Sequence, residues 1–236
     1  MSDPFKVVRD FEAALCEYTG APYAVTTNSC TMALLLAVAW HLREEQPGIE
    51  IDAGGHHPIV TRRIDVEIPK RTYVGVPMSI IHAGGRPTFR DDEWDGAYPL
   101  RPLPVWDSAR WFTGGMYQAL QSWEDWRLAK HKGGPLLCVS FHASKTLGDT
   151  QGGAILHDNP EADGWLRRAR FDGRREGERP ADQAESLTGF DVVGWHCYMS
   201  PDVAARLLVK LRILPRHNGP LPNDEYPDLS KMEIFK

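Results

Sequence analysis

Leu136-Leu137-Cys138-Val139-Ser140-Phe141-His142-Ala143-Ser144-Lys145, closed by Gly152-Gly153-Ala154-Ile155, decides how this chain is read. An uninterrupted apolar run of this length reads as a buried strand. It ends in a serine, and a lysine follows five residues later in a short polar loop. The glycine pair then opens a second apolar run. A lysine held one turn from the interior loses its proton when desolvated. A neutral amine is what a Schiff base with an aldehyde cofactor requires. Most lysines, however, are solvated surface charges, so the rest of the sequence has to carry the reading.

Working outward, 236 residues suffice for one sizeable α/β domain. Apolar content of 42% and charged content of 25% are those of an ordinary globular chain. A net charge of −5 argues against a protein that coats nucleic acid. Cys16, Cys30, Cys138 and Cys197 are scattered without CxxC spacing, which predicts reduced thiols and a cytoplasmic setting. No signal peptide and no membrane-spanning run is expected. The histidines, His56-His57 included, lack metal-ligand spacing, so no metal site is expected.

Phe5, Val8, Phe11, Leu15 and Tyr18 recur at helical steps and predict a helix over 4–18, stopped by Gly20. Ala24-Val25 begins a strand, and Met32 to Leu42 is a helix apolar nearly all round, hence buried. Residues 44–63 read as a solvated excursion. Asp65 to Ile68 is a strand, Tyr73 to Ile81 a helix and Arg86 to Phe89 a strand. A proline-rich piece, 96–104, leads into the strand Pro104-Val105-Trp106-Asp107. Residues 111–133, with Trp111, Trp123 and Trp126, read as a helix or a covering loop. Strands over 136–141 and 153–157 precede a basic segment from Arg167 to Arg179. A helix over 201–214 ends in an irregular tail, 215–236. This alternation predicts an α/β fold, a three-layer α/β/α arrangement with a mostly parallel sheet. Residues 1–214 form a single domain in this reading, with the tail beyond it.

Asn28-Ser29-Cys30-Thr31 lies between a strand and a buried helix, where hydroxyls and backbone N–H groups would hold a phosphate. The same residues would serve an ordinary N-cap. Asp107 closes an apolar strand, and a carboxylate there faces the crevice in which α/β proteins bind ligands. Opposite a pyridine nitrogen it would keep that nitrogen protonated; otherwise it is a loop cap or ion pair. Tyr73, after Pro69-Lys70-Arg71-Thr72, would lay its ring on a flat cofactor or pack in the core.

Taken in order, Ser-Cys-Thr, Pro-x-x-Thr-Tyr, strand-Asp-x-Ala and Ser-Phe-His-x-x-Lys with its following Gly-Gly form a set. With Phe11-Glu12, Tyr18-Thr19-Gly20-Ala21 and Ala24-Val25, this set resembles the DegT/DnrJ/StrS sugar aminotransferases. These are fold-type-I enzymes dependent on pyridoxal 5′-phosphate. The resemblance runs with gaps from about residue 8 to residue 212. It implies that Lys145 forms the internal aldimine and moves the substrate proton, and that Asp107 pairs with the pyridine nitrogen. Tyr73 would stack on the ring, and Cys30, Thr31 and Ser140 would bind the phosphate. Arg110 occupies the family's glutamine or histidine position near the ring hydroxyl. The segment Gly194 to Ser200 matches the family's dimer loop without its asparagines, so His196 or Tyr198 would take the phosphate across a homodimer interface.

Set against that family, the resemblance leads us to expect a chain without the smaller C-terminal domain and the N-terminal arm, with the stretch between Phe89 and Val105 short by one strand–helix unit. The expected activity is transfer of an amino group from a small-molecule amine donor to a sugar-like or other carbonyl acceptor. Two alternatives stay open. One is decarboxylation or related carbanion chemistry on an amino-acid-like group carried by a larger molecule such as modified nucleic acid, for which Arg167, Arg168, Arg170, Arg174, Arg175 and Arg179 would suit a polyanion. The other is a non-catalytic relic. The apolar residues of 203–211 are expected to need cover from a partner chain.

Overall fold

In a five-stranded sheet at the centre of the molecule, successive side chains of each strand alternate between two cores, as the pleat requires. The computed structural model describes residues 3–43, 49–51, 58–60, 63–120, 134–176, 192–223 and 225–236. The elements are α1 (Lys6–Thr19), β1 (Tyr23–Thr27), α2 (Cys30–Leu42), β2 (Ile49–Ile51) and β3 (Pro58–Val60). Next come β4 (Asp65–Pro69), α3 (Gly75–His82), β5 (Arg86–Arg90), β6 (Tyr98–Pro99) and β7 (Val105–Asp107). The last are α4 (Met116–Leu120), β8 (Leu136–Ser140), β9 (Gly153–His157), α5 (Pro160–Ala169) and α6 (Pro201–Ile213). Trp123, Trp126, Arg179, His56 and His57 lie outside the described residues.

The sheet order is β1-β9-β8-β7-β6. Leu137, Val139, Ala154 and Leu156 face α1 and α6, packing with Phe11, Leu15, Val203 and Leu207. Leu136, Cys138 and Ile155 face the opposite way, toward Leu36, Ala37, Val66 and Leu166. Helices therefore cover both faces, as an α/β fold requires. The strand directions differ from the expectation. β7 and β8 are parallel, but β1/β9, β8/β9 and β6/β7 are antiparallel, so the described sheet is mixed rather than mostly parallel. Apolar periodicity reports burial and leaves strand direction open.

The short stretch before β7 accounts for part of this. Residues 91–104 hold no helix, and β6 turns back on β7 with Tyr98 opposite Asp107. Arg101 then bridges to Glu67 of β4, their backbones exchanging hydrogen bonds of 2.6 and 3.0 Å. The parallel pair β4–β5 is thus joined to the main sheet through an antiparallel segment. Arg90 helps hold this junction, donating to the carbonyls of Glu67 and Pro99.

Two other expectations change. Val203, Ala204, Leu207 and Leu211 of α6 are covered from within the chain by α1, because α1 offers Val8, Phe11 and Leu15 at the matching helical spacing. Val209, on the same helix, stays exposed. Part of the arginine segment also turns inward, while Arg175 stays exposed. Arg167 pairs with Glu12 and Asp163, Arg170 is buried against Glu12 and Glu176, and Arg174 meets Asp172. Arginines engaged in this way do not form a free polyanion surface.

The tail 215–236 is irregular but anchored. The Leu221 N–H donates to the Arg110 carbonyl, Asn223 Nδ2 to the Trp94 carbonyl, and the Leu229 N–H to the Lys70 carbonyl. Leu229 and Phe235 are buried, the latter 5.9 Å from the Phe89 ring. The tail therefore crosses from the end of β7 to the β4–β5 edge.

Candidate active site

Strand directions bring the chemistry to one end of the sheet. Asp107 and Ser140 terminate the parallel strands β7 and β8. Ser140 is registered against Gly153, the first residue of β9, and Thr27 at the end of β1 meets the same glycine. α2 begins immediately beyond β1, so its N-terminus opens at that end as well.

Ser29 caps α2, its hydroxyl accepting from the Met32 N–H at 3.2 Å, a contact worth about 1 kcal/mol. The ordinary cap is therefore real. It leaves the N–H groups of Cys30 and Thr31, which have no acceptor within a helix start. The glycine pair explains how closely this start approaches the sheet. A Cβ on Gly153 would lie 2.5 Å from the Cys30 nitrogen, and Gly152 has φ +139°, which side chains rarely adopt.

A cavity of about 480 Å³ opens here. Cys30, Thr31, Tyr73, Asp107, Arg110, Ser140 and Lys145 all line it. Leu34, Thr72, Trp94, His142, Gln151 and Tyr226 complete much of the wall. His196 does not reach it. His196 is exposed, its Nδ1 2.8 Å from Asp172, in a shallow cleft that shares Gln151 and Gly152 with the main cavity. Tyr198 lines that same cleft.

Asp107 is buried, with Oδ2 accepting from the Tyr98 hydroxyl at 2.7 Å and Oδ1 from the Ala109 N–H at 2.9 Å. Burial raises its proton affinity, while those hydrogen bonds and the charge of Lys145 oppose the rise without cancelling it. Lys145 sits half-buried in the loop between β8 and β9. Its N–H donates to the His142 carbonyl at 2.8 Å, which turns the loop back on itself. Tyr73 stands 57% exposed at the rim. Its ring passes so close to Gly75 that a Cβ there would lie 2.7 Å away.

The Lys145 loop is held from behind by Asp149. Its N–H donates to the Phe141 carbonyl, and its carboxylate takes Arg206 at 2.9 Å and Lys210 at 2.8 Å from α6. The Arg206 hydrogen bond, with Lys210 adding to it against burial, holds this carboxyl well below the usual carboxylate range. Asp149→Asn should cost about 1 kcal/mol locally, because both cations are partly solvated. Amide hydrogen exchange across 142–150 should quicken by roughly fivefold. Unchanged exchange would show that the clamp does not hold the loop.

Sequence reasoning missed Tyr98, Trp94 and Tyr226. Tyr98 and Leu100 stand at strand spacing before β7 and are both buried, a period-two signal hidden among prolines. Tyr226 carried no signal, since only the path of the tail brings it to the cavity.

Residues 3–96 match the DegT/DnrJ/EryC1/StrS aminotransferase family. The matched residues make up less than half of the chain. It is 26% identical over 177 residues to the UDP-4-amino-4,6-dideoxy-N-acetyl-beta-L-altrosamine transaminase of Campylobacter jejuni, an alignment covering 66% of this chain and 45% of that protein. The chain thus spans less than half the length of this transaminase. Among solved structures, a DegT DnrJ EryC1 StrS aminotransferase from Brucella abortus superposes with a TM-score of 0.61 at 19% identity, covering 89% of this chain and 59% of that one. The sugar aminotransferase CalS13 from Micromonospora echinospora gives 0.62 at 18%, covering 89% and 61%. The fold is that of these aminotransferases. Among the described residues, no helix is long and apolar enough to cross a membrane, and no metal-binding group of His, Cys, Asp or Glu occurs.

Proposed function

We propose that the cavity binds pyridoxal 5′-phosphate and that the chain acts as an aminotransferase on a carbonyl substrate. The observation that carries this reading is the convergence of Cys30, Thr31, Tyr73, Asp107, Arg110, Ser140 and Lys145 on one cavity from far apart in sequence. The donor set fits the group: an amine, a buried carboxylate, a hydroxyl, a helix N-terminus and an aromatic ring surround one space. Bound there, the cofactor supplies an aldehyde for covalent attachment of amines and a ring that stores the electron pair released at the substrate carbon.

The chain's own residues supply the rest. The N–H groups of Cys30 and Thr31, at the positive end of α2, bind the phosphate together with the Ser140 hydroxyl. Asp107 would accept a hydrogen bond from the ring nitrogen, and its burial would strengthen that contact by lowering the local dielectric. Tyr73 would cover the ring, and Arg110 would serve its hydroxyl. Lys145 would hold the cofactor through its Nζ, and the same amine would serve as the proton carrier at the substrate carbon. Trp94 and Tyr226, ring centroids 6.3 Å apart, wall the side left for the substrate. The reading includes a homodimer in which the exposed Tyr73 rim and the His196–Tyr198 cleft are covered by a second copy.

Spectral titration of the purified chain with pyridoxal 5′-phosphate tests this. A visible absorption band should form, and glutamate or another amine donor should bleach it. The loaded protein should scatter light at twice the chain mass. A band that no amine donor bleaches would count against transamination, and release of carbon dioxide with the amine retained would move the assignment to decarboxylation.

A further inference from the structure

The carboxylate at the end of β7 is held by a residue that the family pattern did not point to. Tyr98 lies directly across the β6–β7 ladder from Asp107, and both side chains are buried. A phenol has one proton, and at 2.7 Å Tyr98 donates it to Asp107 Oδ2. The 2.6 Å contact between Tyr98 and Thr72 then has one polarity left, with the Thr72 hydroxyl as donor. A directed chain runs from Thr72 through Tyr98 to Asp107. Its far end is the neighbour of Tyr73.

We propose that Tyr98 is a positioning residue for the cofactor: its hydroxyl, oriented by Thr72, fixes the Asp107 carboxylate that faces the ring nitrogen and keeps it ionised. This rests on the reading of the cavity as a pyridoxal-phosphate site.

Two anchors on different oxygens define both the place of the carboxylate and the rotation of its plane. Ala109 N–H holds Oδ1 and Tyr98 holds Oδ2. Each oxygen keeps a second lone pair for a ligand. A hydrogen bond donated to the charged form favours that form against desolvation. The donor is itself secure: burial, with the adjacent Asp107 charge, pushes the Tyr98 phenol well above its ordinary range, so it stays protonated. Trp94 packs on the Tyr98 ring at 4.6 Å and limits its swing. The device depends on β6 running antiparallel beside β7, because that pairing sets Tyr98 opposite Asp107.

The test compares wild type, Tyr98→Phe and Thr72→Val, with pyridoxal 5′-phosphate as the probe and its affinity measured from pH 5 to pH 9. Tyr98→Phe should weaken binding about tenfold, the scale of a lost hydrogen bond to a charged group. The acid limb of the binding profile should move up by about one pH unit, since Asp107 without its donor holds a proton more tightly. Thr72→Val should move both quantities the same way by less, and it stands in where Tyr98→Phe does not fold. In an Asp107→Asn background, Tyr98→Phe should change affinity by less than about twofold. A merely structural role would lower the melting temperature without moving the acid limb, and that result would overturn the proposal. So would equal losses in the Asp107 and Asn backgrounds. If wild type binds no cofactor, the reading of the cavity falls and takes this proposal with it. If wild type binds and Tyr98→Phe is indistinguishable from it, only the proposal falls.

Discussion

Lys145→Ala is expected to remove the visible absorption band of the cofactor-loaded protein and to lower amine transfer by about a thousandfold or more. In the proposed reading two roles disappear together, since one amine would both hold the cofactor and carry the proton. The fold should be nearly untouched. The loop is turned by the Lys145 backbone N–H, which alanine keeps, and is fastened by Asp149 to Arg206 and Lys210. Thermal stability of the cofactor-free variant should stay within about 0.5 kcal/mol of wild type. Borohydride reduction of the loaded wild type, followed by peptide mapping, should place the cofactor on the peptide holding Lys145. Label recovered at another lysine, or equal labelling of the variant, would remove the basis of the proposed chemistry.

The largest effect on stability should come from Glu12→Ala. This carboxylate lies where α1, β1 and α5 meet. Oε1 accepts from the Thr26 N–H at 3.0 Å and from Arg170, and Oε2 accepts from Arg167 at 2.6 Å. Truncation leaves the buried Arg170 guanidinium short of its main counter-charge, which costs about 3–5 kcal/mol. Glu176, 3.2 Å from Arg170, offsets part of that, so the lower end is expected. A fall in melting temperature of about 10 °C would correspond, at this chain length. A fall of less than about 2 °C would show that the pair adds little.

The same group gives a pH signature. Burial disfavours the Glu12 carboxylate, but Arg170 and Arg167 outweigh burial and bring its pKa from 4.5 down to about 2. A carboxyl depressed in the folded state stabilises fully above its unfolded value and loses that stabilisation as pH falls toward the folded value. Wild type should therefore weaken between pH 4.5 and about 2, and Glu12→Gln should show a flatter profile across that window.

Much of the fold was legible because burial writes itself into spacing. The steps from Phe5 to Tyr18 predict a helix over 4–18, and α1 is found at Lys6–Thr19. The apolar run 136–141 corresponds to β8, buried at every position. The apolar run opened by Gly152-Gly153 corresponds to β9, also buried throughout. What spacing does not report is direction and partnership. α5, rich in charge, was read only as a basic segment, because its arginines pair with acids distant in sequence. β6 was hidden by prolines, and 215–236 lacked any periodicity although the tail packs across the site.

The sequence alone determined the class of fold and the residue types around the cavity, because local order, apolar period and motif spacing are properties of neighbouring residues. Only the tertiary structure decided which of those residues meet. It placed Lys145 and Asp107 on one cavity, left His196 beside it, turned Arg167 and Arg170 toward Glu12 and set Tyr98 against the carboxylate. The reason is that strand direction and the path of the tail are settled by long-range pairing. Burial of whole faces and the pairing of distant charges select that arrangement, and no stretch of neighbouring residues encodes it.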